Sequence, residues 1–324
     1  MPVFTRSGHR LSVFFATDLH GSLACFRKFL SAADFYGADV SILGGDMTGK
    51  MVIPVVSKPS GGYRARLAGR DIEVDDGSVD ALETQIADAG FYPYRTDPDE
   101  VAELKEHPER VDDLFDMLMA STLRRWAELA ERKYAGTDRV IFVAPGNDDP
   151  YEIDDVLLGL PRFRVVENEV TVLRQPHEML STGYSNTTPW NTHRELPEAE
   201  LRDRIDKIAA RVTSMETAIF NIHVPPYNTG LDQGPDVDPH TWEQRSTMGQ
   251  GHTKPVGSRA VREAIEAHQP LVSLHGHIHE SRGSARLGRT LCINPGSDYG
   301  DGILRGTLVH LEGSKVRGFQ LTSG

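Results

Sequence analysis

Short runs of Val, Ile, Leu and Phe punctuate this chain, and several of them break off into residues that no core would choose. RLSVFFATDLHG delivers Asp18, Leu19, His20 and Gly21, DVSILGGDMTGK ends in Gly45, Asp46 and Gly49, and RVIFVAPGNDDP ends in Gly146, Asn147, Asp148 and Asp149. Farther on, AIFNIHVPPYNTG delivers His223 ahead of Pro225 and Pro226, and PLVSLHGHIHES delivers Gly276, His277, Ile278 and His279. A short apolar run rich in β-branched residues and closed by Gly, Pro or Asn reads as a buried strand. Its polar end then lies at the carboxyl edge of a sheet, where ligands collect in layered folds. Pro-Gly-Asn-Asp alone would serve equally as a polar turn. Five such endings in order along one chain form a pattern.

The rest of the periodicity fills in an architecture. TLCINPGS and GTLVHLEG read as strands of a second sheet. About a hundred residues separate the second polar ending from the third, far more than one strand-helix-strand crossover needs. The first part of this stretch, MVIPVVS, GYRARLAG and RDIEV, alternates and breaks at Gly and Pro, as a small β-meander does. From Asp99 to Tyr134, Leu114, Leu118, Trp126 and Leu129 recur at helical spacing and predict two or more helices, which would cap a site, form a dimer face or extend the core. Asn228 to Pro255 reads as a long loop rich in Gly, Pro, Asp and Gln beside His223, with Arg245, Lys254, His240 and His252 as groups for a phosphate or a proton. No repeat, low-complexity tract or linker divides the chain, so residues 1–324 read as a single domain with an insertion at about 50–135.

Composition narrows the classes without choosing among enzymes. With 324 residues, 39% hydrophobic and 25% charged, the chain has ordinary globular proportions, and no apolar run has the length of a membrane span. The apolar start lacks a small-residue cleavage site and reads as a first strand. Cys25 and Cys292 are the only cysteines and lack metal-like spacing, so neither a disulfide framework nor a thiolate metal site is expected, and a cytoplasmic setting follows as the default. A net charge of −12 argues against a surface that neutralises a nucleic-acid backbone.

The chemistry lies in the residue types at the strand ends. Asp18, His20, Asp46, Asn147, His223, His277 and His279 are oxygen and imidazole donors, a set that suits Mn, Fe, Zn, Co or Ni. Seven donors exceed what one ion needs and fit two if a carboxylate bridges, the arrangement used at roughly 3.5–4 Å separation for displacement at phosphate esters.

These blocks, in this order, resemble the calcineurin-like metallophosphoesterase superfamily, of the smaller bacterial and archaeal phosphoesterase type. Its signature of Asp-x-His, Gly-Asp-x-x-Gly, Gly-Asn-His-Asp/Glu, a lone His and Gly-His-x-His is met by DLH, GDMTG, GNDD, His223 and GHIH, and the later INPGS, Ile293 to Ser297, is also similar. The resemblance implies an α/β fold, a four-layer αββα sandwich of two packed mixed β-sheets flanked by helices, here with the inserted β-meander and helical segment. It implies one divalent ion on Asp18, His20 and His279 and a second on Asn147, His223 and His277, with Asp46 bridging and Mn favoured. A hydroxide between the ions would attack phosphorus in line with the leaving group.

One block departs from the pattern. The family's third motif has His after Asn, a residue that faces the phosphoryl group and protonates the leaving oxygen; this chain has Asp148, followed by Asp149 in the place of the acid that orients that His. A carboxylate there brings negative charge toward a phosphate and would donate a proton only with a raised pKa. The candidate catalytic residues are therefore Asp148, Asp149 and His252, and the expected activity is hydrolysis of small phosphodiesters. A nuclease of the same superfamily and a catalytically weak binding or scaffold protein are the alternatives. A small phosphate ester is the expected partner, with nucleic acid and membrane not expected and a homo-oligomer through the insertion open.

Overall fold

The computed structural model describes residues 10–237, 241, 244–247 and 250–324. Two six-stranded sheets face each other. The first runs in the order Lys315–Ser323, Arg305–Glu312, Arg10–Ala16, Val40–Leu43, Ile141–Val143, Phe163–Val165, and its last four strands are parallel. In the second the order is Gly283–Leu287, Thr290–Asn294, Val272–Leu274, Ile219–Ile222, His177–Thr182, Glu169–Arg174, with the four central strands parallel and both edges antiparallel. TLCIN thus lies in the second sheet as expected. GTLVHLE does not: it pairs antiparallel with Arg10–Ala16 in the first sheet, because its buried apolar residues Leu308, Val309 and Leu311 find partners along that strand.

Alternation sorts the strand residues between layers. Leu11, Val13 and Phe15 point into the space between the sheets, where they meet Met179, Ile219, Val272 and Ile293. Phe14 and Ala16 point outward onto helices, among them Leu23–Phe35 and Pro108–Lys133. The second sheet is covered by Glu198–Ala209 and Arg259–His268, which bury Leu201, Ile205, Val261 and Ile265. The result is the four-layer αββα sandwich.

Residues 50–135 carry both expected parts and one more. Val52–Ser57, Tyr63–Leu67 and Arg70–Val74 form the antiparallel meander. A helix, Val79–Asp88, and a fourth strand, Tyr92–Thr96, parallel to Val52–Ser57, close a separate small core around Val55 and Ile86. Beyond it lie the two expected helices, Pro98–Glu106, capped by Asp97, and Pro108–Lys133. Trp126 of the longer helix is fully buried and stacks on Phe26 with ring centroids 4.2 Å apart, so this helix extends the main core. Among the described residues no helix is long and apolar enough to cross a membrane. Cys25 and Cys292 are buried free thiols.

Candidate metal centre

Five loops leave the carboxyl ends of parallel strands and meet at one edge of the sandwich. Backbone pairing continues past the strands and fixes the loops to one another: Asp18 N donates to Gly45 O and His20 N to Asp46 O, both at 2.9 Å, and Gly276 N donates to His223 O at 2.8 Å. Four of the predicted donors sit in left-handed backbone, Asp18 at φ 55°, His20 at 41°, Asp46 at 49° and His277 at 67°. Each position costs about 1 kcal/mol or more, a strain that persists where the surroundings dictate it. Glycines make room for the carboxylates. A Cβ on Gly146 would stand 2.1 Å from Asp46 Oδ1, and one on Gly276 2.3 Å from Asp18 Oδ2.

The side chains form two groups that share a carboxylate. Asp18, His20 and His279 bring ligand atoms within 4.8 Å of one another, and so do Asp46, His223 and His277. Asp46 Oδ2 lies 3.6 Å from His20 Nε2 on one side and 3.4 Å from His223 Nε2 on the other. Asn147 Oδ1 is 2.6 Å from His277 Nδ1. The outward nitrogens of two histidines are committed: His20 Nδ1 donates to Thr48 O at 3.3 Å and His223 Nδ1 to Gly44 O at 3.2 Å, which leaves each Nε2 as the lone-pair atom facing the site. INPGS proves to be a brace, with Asn294 Nδ2 donating to Ile278 O at 3.0 Å and Ser297 Oγ to Asp18 O at 2.6 Å.

These residues fit divalent cations. His223 Nε2 is buried and finds no hydrogen-bond partner while facing two carboxylates. Burial and the neighbouring charges also leave the cluster frustrated. Burial opposes the charge on Asp18, but His223, His279 and His20 hold it well below the usual carboxylate range. Burial and the nearby Asp148 and Asp18 push Asp46 up to about 6 although His223 opposes them. Against its own burial, His223 is raised to about 10 by Asp46 and Asp18, while burial and His223 bring His277 down to about 4. Cations among these groups would compensate the buried carboxylates and leave the imidazoles neutral, as ligands must be.

The three candidate catalytic residues fare differently. Asp148 reaches the centre: its carboxylate comes within 4.8 Å of His20 and Asp46 donor atoms, and its backbone N donates to Asp46 Oδ1 at 3.0 Å. Burial works to raise its pKa, but Lys50, whose Nζ is 2.5 Å from Asp148 Oδ2, together with His20 holds it below the ordinary carboxylate value. It therefore lacks the raised pKa that proton donation requires. Asp149 is fully buried with its oxygens occupied by Met47 N, Thr48 N, Thr48 Oγ1 and Gly146 N at 2.7–3.1 Å, so it ties the second and third motif loops together and does not face the cleft. His252 is exposed on a ribbon whose backbone pairs with Asp236 and Arg245, and it is not among the cleft-lining residues. Lys254 does line the cleft, 2.7 Å from Asp236 Oδ1. His240 lies outside the described residues.

Sequence reasoning missed Lys50, which directly follows GDMTG, and the segment Thr187 to Glu195. Arg194, 2% exposed, donates through Nε to Asp149 O at 2.9 Å and through Nη2 to Pro150 O at 3.1 Å, clasping the third motif from behind. Lys50 carried a signal in its adjacency to the motif; Arg194 carried none.

Above the centre opens a cleft of about 1100 Å³, bounded by the helix Pro108–Lys133, by residues 187–193, and by residues 234–237 and 254–259. Carboxylates such as Asp112, Asp116, Glu152 and Glu280 outnumber the cations Lys50, Lys254 and Arg259 along its walls.

No family model matches the chain. Over 159 residues it is 30% identical to the uncharacterized protein MJ1162 of Methanocaldococcus jannaschii, covering 48% of this chain and 63% of that protein, so it spans less than two thirds of the curated relative it matches. A solved structure superposes with a TM-score of 0.56 at 14% identity, covering 97% of this chain and 98% of the other, which shows a shared fold. Looser superpositions are found with TT1561 of Thermus thermophilus, at a TM-score of 0.49, 15% identity and 97% and 98% coverage. Yfce, a phosphoesterase from E. coli, gives 0.33, 12% identity and 96% and 98% coverage. The five motifs whose order resembles that of the calcineurin-like metallophosphoesterase superfamily thus converge at one edge of the four-layer sandwich.

Proposed function

We propose that the chain is a metal-dependent phosphoesterase that holds two divalent ions and cleaves small phosphodiesters. The observation that carries this reading is the meeting of seven oxygen and imidazole donors from five strand ends, with the Asp46 carboxylate standing between the two groups, at the floor of a large cleft. Asp18, His20 and His279 would hold one ion and Asn147, His223 and His277 the other, with Asp46 shared. Such a pair supplies Lewis acidity toward phosphoryl oxygens and lowers the pKa of bound water. On this reading the chain is one domain, with residues 50–135 inserted between the second and third motifs.

The chain's own groups do the rest. His20 and His223 present Nε2 because Thr48 O and Gly44 O occupy Nδ1. Lys50 stands at the edge of the donor cluster as a point charge for a phosphoryl oxygen, and Asp148 holds it there. With Asp148 ionised, the third motif itself supplies no proton for a leaving alkoxide, so esters with stable leaving groups are favoured. A diester monoanion also enters an acid-walled cleft at less electrostatic cost than a monoester dianion or a polyanion, in line with the net charge of −12.

Metal-stripped protein reloaded with Mn²⁺ is expected to hydrolyse bis-p-nitrophenyl phosphate faster than p-nitrophenyl phosphate. Asp46→Ala is expected to lose more than about 100-fold in rate, since even outer partners of metal ligands carry 10–100-fold. Absence of metal-dependent turnover of both esters would sink the reading.

A further inference from the structure

Beside the donor cluster, a chain of contacts leads away from Asn147 into the Thr187–Glu195 segment. Asn147 Nδ2 donates to Thr192 Oγ1 at 2.9 Å, and Thr192 Oγ1 in turn donates to Glu195 Oε1 at 2.6 Å. The order of donors is fixed by chemistry. An amide nitrogen only donates, an ionised carboxylate only accepts, and the hydroxyl between them has one proton to give. Thr192 therefore takes one proton of the Asn147 amide and Asp148 Oδ1, 3.0 Å from Nδ2, takes the other, which leaves Asn147 Oδ1 turned toward His277.

Glu195 is itself over-determined. Besides Thr192 Oγ1 it accepts from Thr192 N at 2.9 Å, Thr188 N at 2.8 Å and Thr188 Oγ1 at 2.5 Å. Burial works against its charge, yet these hydrogen bonds hold its carboxyl below the ordinary range. The backbone repeats the attachment, with Arg194 N donating to Asn147 O at 3.2 Å. Thr192 is thus fixed from one side by Glu195 and presented on the other to a predicted ligand.

We propose that Thr192 and Glu195 are positioning residues for the second metal site, a relay that turns the Asn147 amide oxygen toward the ion and joins the Thr187–His193 wall of the cleft to the metal centre. The relay rests on the two-ion reading given above. It predicts a selective effect: loss of the hydroxyl leaves Asp148 alone to orient the amide, and the ion on Asn147, His223 and His277 is weakened while the ion on Asp18, His20 and His279 is not.

Calorimetric titration of metal-stripped protein with Mn²⁺ tests it, on the wild type, Thr192→Val, Thr192→Ser and Glu195→Gln, with thermal melts of each metal-free chain. We expect two ions per wild-type chain. In Thr192→Val one ion binds as in the wild type and the other about 10–100-fold more weakly. Thr192→Ser restores the second ion, and Glu195→Gln falls between because an amide oxygen still accepts. Wild-type affinity for both ions in Thr192→Val would overturn the relay, as would equal weakening of both together with a lowered metal-free melting temperature, the mark of a merely structural role. A wild-type chain that binds no Mn²⁺ would instead overturn the two-ion reading and the relay with it.

Discussion

Lys50 and Asp148 show how one replaced side chain alters its neighbour. Where the resembling family has an imidazole, this chain has a carboxylate, and 2.5 Å from that carboxylate stands an ammonium. Burial lowers the pKa of Lys50, but Asp148 and Asp46 raise it further, so it is a cation at any pH at which the fold is useful. A charge-assisted contact to a phosphoryl oxygen is worth about 1.5–3 kcal/mol, or roughly 10–100-fold in rate if it is made in the transition state. Lys50→Ala is therefore expected to lower kcat/KM for bis-p-nitrophenyl phosphate by that factor, with Mn²⁺ affinity little changed because Lys50 is not a ligand. An unchanged kcat/KM would remove Lys50 from the reaction and leave it a counter-ion for Asp148.

At the scale of elements, the short helix and last strand of the insertion touch the motif loops directly. Tyr92, on its last strand, accepts a hydrogen bond from Gly49 N at 2.7 Å, and Ser22 Oγ donates to Asp88 O at 2.6 Å, so the first and second motif loops both rest on it. Gly49 and Gly90 meet back to back, since a Cβ on Gly49 would lie 2.5 Å from Gly90 O. Tyr92→Phe leaves a buried amide without its acceptor and should cost about 1–3 kcal/mol in urea unfolding. A loss below a few tenths of a kcal/mol would show that water or a loop shift replaces the hydroxyl. The elements that were legible beforehand are those whose polarity pattern is strong: the motif strands are short apolar runs, and the helix around Trp126 has clear spacing. Tyr92–Thr96 and Val79–Asp88 were not legible, because polar residues are interleaved through both and their apolar faces close only a small local core. The metal donors could be read because Asp and His after a strand are chemically conspicuous. Thr192, Arg194 and Glu195 could not, since threonine, arginine and glutamate in a polar loop look like solvent-facing residues until the fold brings Asn147 against them.

For the molecule as a whole, the join between the two sheets is as consequential as either sheet. The chain passes from Phe163–Val165 in the first sheet to Glu169–Arg174 in the second, and Glu167 sits in that crossover. Its carboxylate accepts from Gly183 N at 2.6 Å, from Thr182 Oγ1 at 3.1 Å and from Arg204 Nη2 at 2.8 Å, the last on a helix that covers the second sheet. Burial raises its pKa above the ordinary 4.5, and Arg204 with the other donors only partly offsets this. The sign of the consequence follows from proton counting. Between the unfolded value and the higher folded value the native state carries more protons than the unfolded one, so this group's contribution to stability is greatest below about 4.5 and declines as pH rises through the folded pKa. Urea unfolding of the wild type and of Glu167→Gln from pH 4 to 7 isolates the effect, because the other titrating groups are common to both chains. The wild-type stability minus that of the variant should fall as pH rises across this interval. A difference that is flat or that rises with pH would show that Arg204 outweighs burial and that the sheets are joined by a fully ionised pair.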